Sequence, residues 1–173
     1  MSSNPIFLFP TELEAATLRR LQPDWNIVVC GVGMAATAAT LSRLYRAGCF
    51  DEVRCVVLCG IAGGYDSRVA VGEVVEVVSE RCAELPQRFQ REYRQEPYTT
   101  LRGVSSNTVH RGVTGATDAE IENMEGAALF AMAEELGFRA VEIRGISNRV
   151  GEEFNLWRVE EALQALARVL ITI

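Results

Sequence analysis

The sequence predicts an α/β fold, with helices on both faces of a largely parallel or mixed sheet, and three observations carry that expectation. Short continuous apolar runs, such as 26–30 (NIVVC) and 54–59 (RCVVLC), have the length of strands covered on both faces. Segments of helical length alternate with them, with cap residues at their ends. The 173 residues are 49% hydrophobic and 23% charged, which suits one ordinary domain spanning 1–173, with neither repeat nor linker.

In chain order, residues 5–9 (PIFLF) read as a strand that Pro10 stops, and Thr11 opens a helix to about residue 21. A second strand, 26–30, ends in Gly31-Val32-Gly33. A small-residue helix over 34–47 follows, closed by Gly48 at its C′ position. The third strand, 54–59, runs into Gly60-Ile61-Ala62-Gly63-Gly64, read as a glycine turn, and 74–79 is the fourth. Residues 81–101 are polar, charged and aperiodic, a surface excursion. Regular structure resumes over 102–109, and 112–118 is a turn or loop. Asn123 is the expected N-cap of a helix over 124–136 that Gly137 ends. Residues 139–146 form a strand, and Asn155 caps a final amphipathic helix to about residue 170.

Composition excludes several classes of function. The net charge is −6, the 17 bases are all arginine, and no basic run exists to neutralise a phosphate backbone, so no nucleic-acid partner is expected. No apolar stretch approaches the ~20 residues a bilayer requires, and residues 1–10 do not read as a secretory leader, so a cytoplasmic protein is expected. Cys30, Cys49, Cys55, Cys59 and Cys82 read as reduced core thiols. Cys55 and Cys59 would share one buried strand face, and the single His110 supplies no second ligand cluster, so no metal is expected.

Four stretches could carry chemistry. The two glycine turns would let a ligand approach the backbone at the carboxyl edge of the sheet. Gly31-x-Gly33-x-x-Ala36, with Asp51 downstream, also matches a dinucleotide fingerprint. Thr11-x-x-Glu14 is either a helix capping box or a carboxylate placed to deprotonate a water. Glu125, amid Met124 and Gly126-Ala127-Ala128, needs a partner when buried, either an arginine or the diol of a sugar. Asn148, in Arg144-Gly145-Ile146-Ser147-Asn148, is either an ordinary turn residue or an amide offering donors and an acceptor to a 6-oxopurine.

Taken together, these stretches resemble the purine nucleoside phosphorylase/nucleosidase superfamily. The carrying residues are 10–15 (PTELEA), 59–64 (CGIAGG) with 71–75 (VGEVV), Asn107-Thr108-Val109, 124–128 (MEGAA), and 144–151 (RGISNRVG) with Trp157. The resemblance implies a three-layer α/β/α domain around a central mixed sheet, and a homo-oligomer, usually a dimer. It also implies cleavage of a purine N-ribosidic bond by water, with no metal or organic cofactor. Carried over, Glu14 activates the water, with Glu12 the fallback should the alignment slip. Glu125 holds the ribose hydroxyls, helped by Met124. Thr108 and Val109 line the base, Asn148 binds the leaving purine with support from Ser147, and Ile61 and Gly63 belong to the binding wall. Relatives that take adenine compounds carry Asp at the Asn148 position, so the carboxamide points to a 6-oxopurine.

Phosphorylases of that family clamp phosphate with arginines in the first loop and before the second glycine turn. Residues 10–15 and 58–59 hold none, which favours hydrolysis. The chain is shorter than the family's usual length, with the deficit expected within 81–101, and Ile61 stands where relatives often carry Ser. Two other readings stay open: a non-catalytic purine-nucleoside binding module, and an NAD-binding oxidoreductase built on the Gly31 fingerprint.

Overall fold

The computed structural model describes residues 5–51, 53, 55–112 and 117–173. Among the described residues, eight strands and four helices follow one another as β1 (Ile6–Phe9), α1 (Glu12–Leu21), β2 (Ile27–Val29), α2 (Met34–Arg46), β3 (Val56–Gly64), β4 (Val74–Cys82), β5 (Glu92–Arg94), β6 (Gly103–Thr108), β7 (Ile121–Asn123), α3 (Gly126–Leu136), β8 (Ala140–Arg149) and α4 (Val159–Leu170). The strands join one mixed sheet in the order β2-β1-β3-β7-β6-β4-β5, and β8 pairs with both β3 and β4. β3, β8, β4, β6 and β7 therefore close into a ring, with β2 and β1 extending from one side of it and β5 from the other.

Strand alternation builds the three layers. Ile6, Leu8, Val56 and Leu58 point to one face, where they pack with Leu41 and Leu44 of α2 and Leu129, Phe130 and Ala133 of α3. Phe7, Phe9, Val57 and Cys59 point to the other, against Ala15 and Leu18 of α1 and Leu163, Leu166 and Leu170 of α4. Cys55 joins Cys59 on that second face, as expected. The expected third strand begins at residue 54, outside the described residues, as do residues 113–116 of the expected 112–118 loop. No helix among the described residues is long and apolar enough to cross a membrane.

Four local expectations are corrected. Gly60–Gly64 is not a turn: β3 continues through it, because β8 offers a parallel partner along the whole length, from Val56↔Ala140 to Gly64↔Arg149. The 81–101 excursion does lie on the surface, but Glu92–Arg94 folds back as an antiparallel partner of Ser79–Arg81. α3 starts at Gly126 rather than residue 124, because Met124 and Glu125 complete the link from β7. Asn123 still caps it from a distance, its Oδ1 accepting from the N–H groups of Glu125 (2.8 Å) and Gly126 (2.7 Å). Asn155 caps nothing: it sits in a single 3-10 turn, Phe154–Leu156, and α4 begins only at Val159, after the Arg158 N–H has bonded Ser147 O.

Candidate functional site

The carboxyl ends of β3 and β8, the head of α1 and the link from β7 to α3 enclose a cavity of about 560 Å³. Glu14, Ile61, Gly63, Val109, Met124, Glu125, Ser147 and Asn148 all line it. Thr108 does not. It is fully buried, and its hydroxyl accepts from Ala127 N (2.8 Å) in the first turn of α3. Glu12 also falls outside the cavity, on the solvent side of α1 in an ion pair with Arg19.

Glu14 is 7% exposed and fixed at both carboxylate oxygens. Oε1 accepts from Ile61 N (3.0 Å) on β3, and Oε2 accepts from the Thr11 hydroxyl (2.6 Å). Thr11 caps α1 as expected, accepting from Glu14 N (3.2 Å). The reciprocal half of a capping box is replaced, because the Glu14 carboxylate turns toward β3 and the cavity. Gly60 makes this approach possible: a Cβ there would meet Glu14 Oε1 at 2.8 Å and Arg144 Nη1 at 2.9 Å.

Asn148 lies further toward the carboxyl end of the same strand pair. A Cβ on Gly63 would lie 3.3 Å from Asn148 Nδ2. At ~3.3 Å per residue, the three steps of β3 from Gly60 to Gly63 span about 10 Å. Ser147 Oγ donates to Asn148 Oδ1 (2.7 Å), and Asn148 Nδ2 donates to Arg149 O (2.9 Å). These two bonds fix which way the amide faces and leave one N–H and one lone pair for a ligand.

Glu125 has the arginine partner that the sequence left as one alternative, and it also faces the cavity. Oε2 accepts from Arg144 Nη2 (3.2 Å), and Oε1 accepts from Gly33 N (2.9 Å) at the head of α2. Gly33 caps that helix at φ +90, a conformation L side chains rarely adopt. The N–H that a dinucleotide pyrophosphate would need is thus taken by a carboxylate of the chain itself.

Arg144, fully buried, ties the site together. Nε donates to Glu142 Oε1 (2.8 Å) and Nη2 to Asn123 Oδ1 (3.0 Å) as well as to Glu125. Burial opposes its charge, but Glu142 and Glu125 outweigh that and hold the guanidinium protonated, its pKa above the ordinary arginine value. Burial also pushes the thiols of Cys59 and Cys30 upward, so both stay protonated.

Sequence reasoning missed Glu122 as a wall residue, held by the Tyr65 hydroxyl (2.9 Å), and missed Leu13, Val32 and Phe154 at the mouth. Leu13, Val32 and Phe154 are exposed large hydrophobics, a departure that could have been noticed only with the cavity in view. Among the described residues, the lining holds Glu14, Glu122, Glu125 and Glu152 and no arginine.

The family model of the Phosphorylase superfamily matches residues 76–173, more than half of the chain. The chain belongs to the Phosphorylase superfamily. It is 29% identical to a futalosine hydrolase of Thermus thermophilus, over 95% of this chain and 92% of that protein. A futalosine hydrolase of Streptomyces coelicolor is 28% identical over 87% of this chain and 78% of its own length. Among solved structures, the native futalosine hydrolase of Helicobacter pylori superposes with a TM-score of 0.83 at 14% identity, covering 99% of this chain and 97% of that one. The 5′-methylthioadenosine/S-adenosylhomocysteine nucleosidase of the same organism, solved with butyl-thio-DADMe-Immucillin-A, gives 0.83 at 12% identity over the same shares. The expected nucleoside phosphorylase-like α/β fold is the fold of this superfamily member.

Proposed function

We propose that this cavity hydrolyses the N-ribosidic bond of a purine nucleoside, with futalosine as substrate and hypoxanthine and dehypoxanthine futalosine as products, a step of menaquinone biosynthesis. The observation that carries the reading is the shared cavity: Glu14, Glu125 and Asn148, from three distant parts of the chain, line one space. The two curated relatives named futalosine hydrolase support the choice of nucleoside.

The roles follow from charge. As the C1′–N9 bond lengthens, the ribose approaches an oxocarbenium ion and the base gathers negative charge. Asn148 gives its remaining amide N–H to that base, at O6 or N7 of a 6-oxopurine. Glu125, backed by Arg144, accepts from the ribose hydroxyls beside Met124. Glu14, fixed by Ile61 N and the Thr11 hydroxyl, takes the proton of the attacking water. Ile61, Gly63 and Val109 form the wall between. Among the described residues the lining carries carboxylates and no cation, which disfavours phosphate as the attacking group and supports water. A dimer belongs to the same reading, supported by the exposed apolar residues Leu13, Val32 and Phe154 at the cavity mouth.

Incubating the protein with futalosine, inosine and methylthioadenosine, with and without phosphate, tests this. Free hypoxanthine released from futalosine at the same rate in both buffers is expected. Phosphate-dependent release, or saturable binding with no free base, would replace the reading with a phosphorylase or a binding module. Asn148→Ala removes the donor to the leaving base and is expected to lower kcat about 10²–10³-fold. The measurement is steady-state turnover beside a melting curve, and a full rate would remove Asn148 from the mechanism.

A further inference from the structure

Behind the cavity, the ring of strands holds two fully buried carboxyl groups that the proposed chemistry does not use, Glu80 on β4 and Glu142 on β8. Their near ends meet over Gly126. A Cβ there would lie 2.5 Å from Glu142 Oε2 and closer still to Glu80 Oε2, so only glycine leaves the two oxygens room. Glu80 Oε1 accepts from Arg81 N (2.9 Å), and Glu80 Oε2 accepts from Asn123 Nδ2 (2.7 Å). Glu142 Oε1 is taken by Arg144. Among the described residues, Glu142 Oε2 is the one buried side-chain oxygen or nitrogen that has no donor.

An orphan buried acceptor is costly, and two carboxylates in one dry space do not both ionise readily. The Arg144 guanidinium does not settle that charge, because it already faces Glu14 and Glu125 as well as Glu142. A proton between the two Oε2 atoms resolves both problems.

We propose that Glu80 and Glu142 share one proton, donated from Glu80 Oε2 to Glu142 Oε2, and that this bridge fixes Arg144 and, through it, Glu125. The proton sits on Glu80 because Glu142 is already ion-paired with Arg144. Asn123 belongs to the same device, since its Nδ2 serves Glu80 while its Oδ1 receives Arg144 and the head of α3. Glu80 and Glu142 are positioning residues and touch no substrate. The facing ionisable groups are Glu142 and Arg144 on β8, Glu125 before α3, Tyr65 beyond β3, and Tyr93 opposite on β5, with Arg81 next in its own strand. Burial first, and then the Glu142 carboxylate, push Glu80 from 4.5 up to about 8. The stability this group contributes is therefore full below pH 4.5 and is lost as pH rises through about 8.

Infrared spectroscopy reads the proton without any substrate. The native protein is expected to show a protonated-carboxyl C=O band at pH 6 that disappears by pH 9.5. Glu80→Gln should abolish it. In Glu142→Gln the band should disappear at lower pH than in the native protein, because the Glu142 charge is gone and the amide introduced there can accept from Arg144 and donate to Glu80; this second variant decides the matter should the first not fold. No such band in the native protein, a band that survives in Glu80→Gln, or one unmoved in Glu142→Gln overturns the proposal. The effect on turnover rests on the nucleosidase reading. Between pH 7 and pH 9, kcat/KM should fall about tenfold in the native protein, following the proton occupancy of a group near pH 8, and less than twofold in Glu80→Gln. An equal fall in both proteins overturns the positioning role. A band that behaves as expected in a protein that cleaves no nucleoside would support the shared proton and reject the nucleosidase reading instead.

Discussion

Glu14→Gln is expected to lower the rate of nucleoside hydrolysis by about 10²–10⁴-fold, the usual contribution of a positioned general base. The substitution keeps the shape of the side chain and costs little in the fold. The carboxamide oxygen still accepts from Ile61 N, and the Thr11 hydroxyl can rotate to accept from the new NH₂ group, so the cap on α1 survives. What disappears is the basic oxygen that takes the proton from water. Single-turnover release of hypoxanthine, measured beside a thermal melt, separates the two effects. Glu12→Gln is the control, because Glu12 lies outside the cavity and pairs with Arg19. A Glu14→Gln protein with full rate, or a Glu12→Gln protein with none, would move the water-activating role elsewhere.

Arg144→Met is the substitution expected to cost most in stability. Removing one member of a buried ion pair leaves uncompensated charge and typically costs about 3–5 kcal/mol. Here Glu142 and Glu125 lose their cation together, and Asn123 Oδ1 loses a donor. The loss has a sign in pH. Without the guanidinium, the Glu142 carboxyl becomes harder to ionise in the fold, so the variant suffers most at neutral and alkaline pH and recovers part of the difference as acid protonates it. Urea midpoints of native and variant protein at pH 5 and pH 8 read this directly. A deficit equal at both pH values would mean that packing, rather than charge, makes up the contribution of Arg144.

The parts of the molecule legible in the sequence are those decided locally. Phe7 and Phe9 alternate with Ile6 and Leu8, and that alternation survives as two distinct cores on the two faces of the sheet. Thr11, Gly48 and Gly137 mark helix ends through their own conformational preferences, and the helix boundaries fall beside them. Where a partner from far along the chain decides the outcome, the sequence was mute. Gly60–Gly64 has the composition of a turn and becomes strand because β8 lies alongside. Ile121–Asn123 is too short and too polar to announce β7, and is a strand because β3 and β6 flank it. The site divides in the same way. Glu14, Glu125 and Asn148 stand out as polar residues in glycine-rich or apolar surroundings. The Thr108 hydroxyl, expected against the base, is claimed by the head of α3. Nothing local marks Glu80 and Glu142, which meet at Gly126 because the ring of strands closes.

The order of the strands also governs how this molecule meets its neighbours. Both ends of the β2-to-β5 path are strands of three residues, Ile27–Val29 and Glu92–Arg94, and the second presents charged side chains to solvent. Such stubs give an incoming chain too few backbone groups to build on, the device by which natural sheets resist fibrous growth. Association is therefore steered away from open-ended stacking and toward contacts between side chains, where it can close on itself and stop.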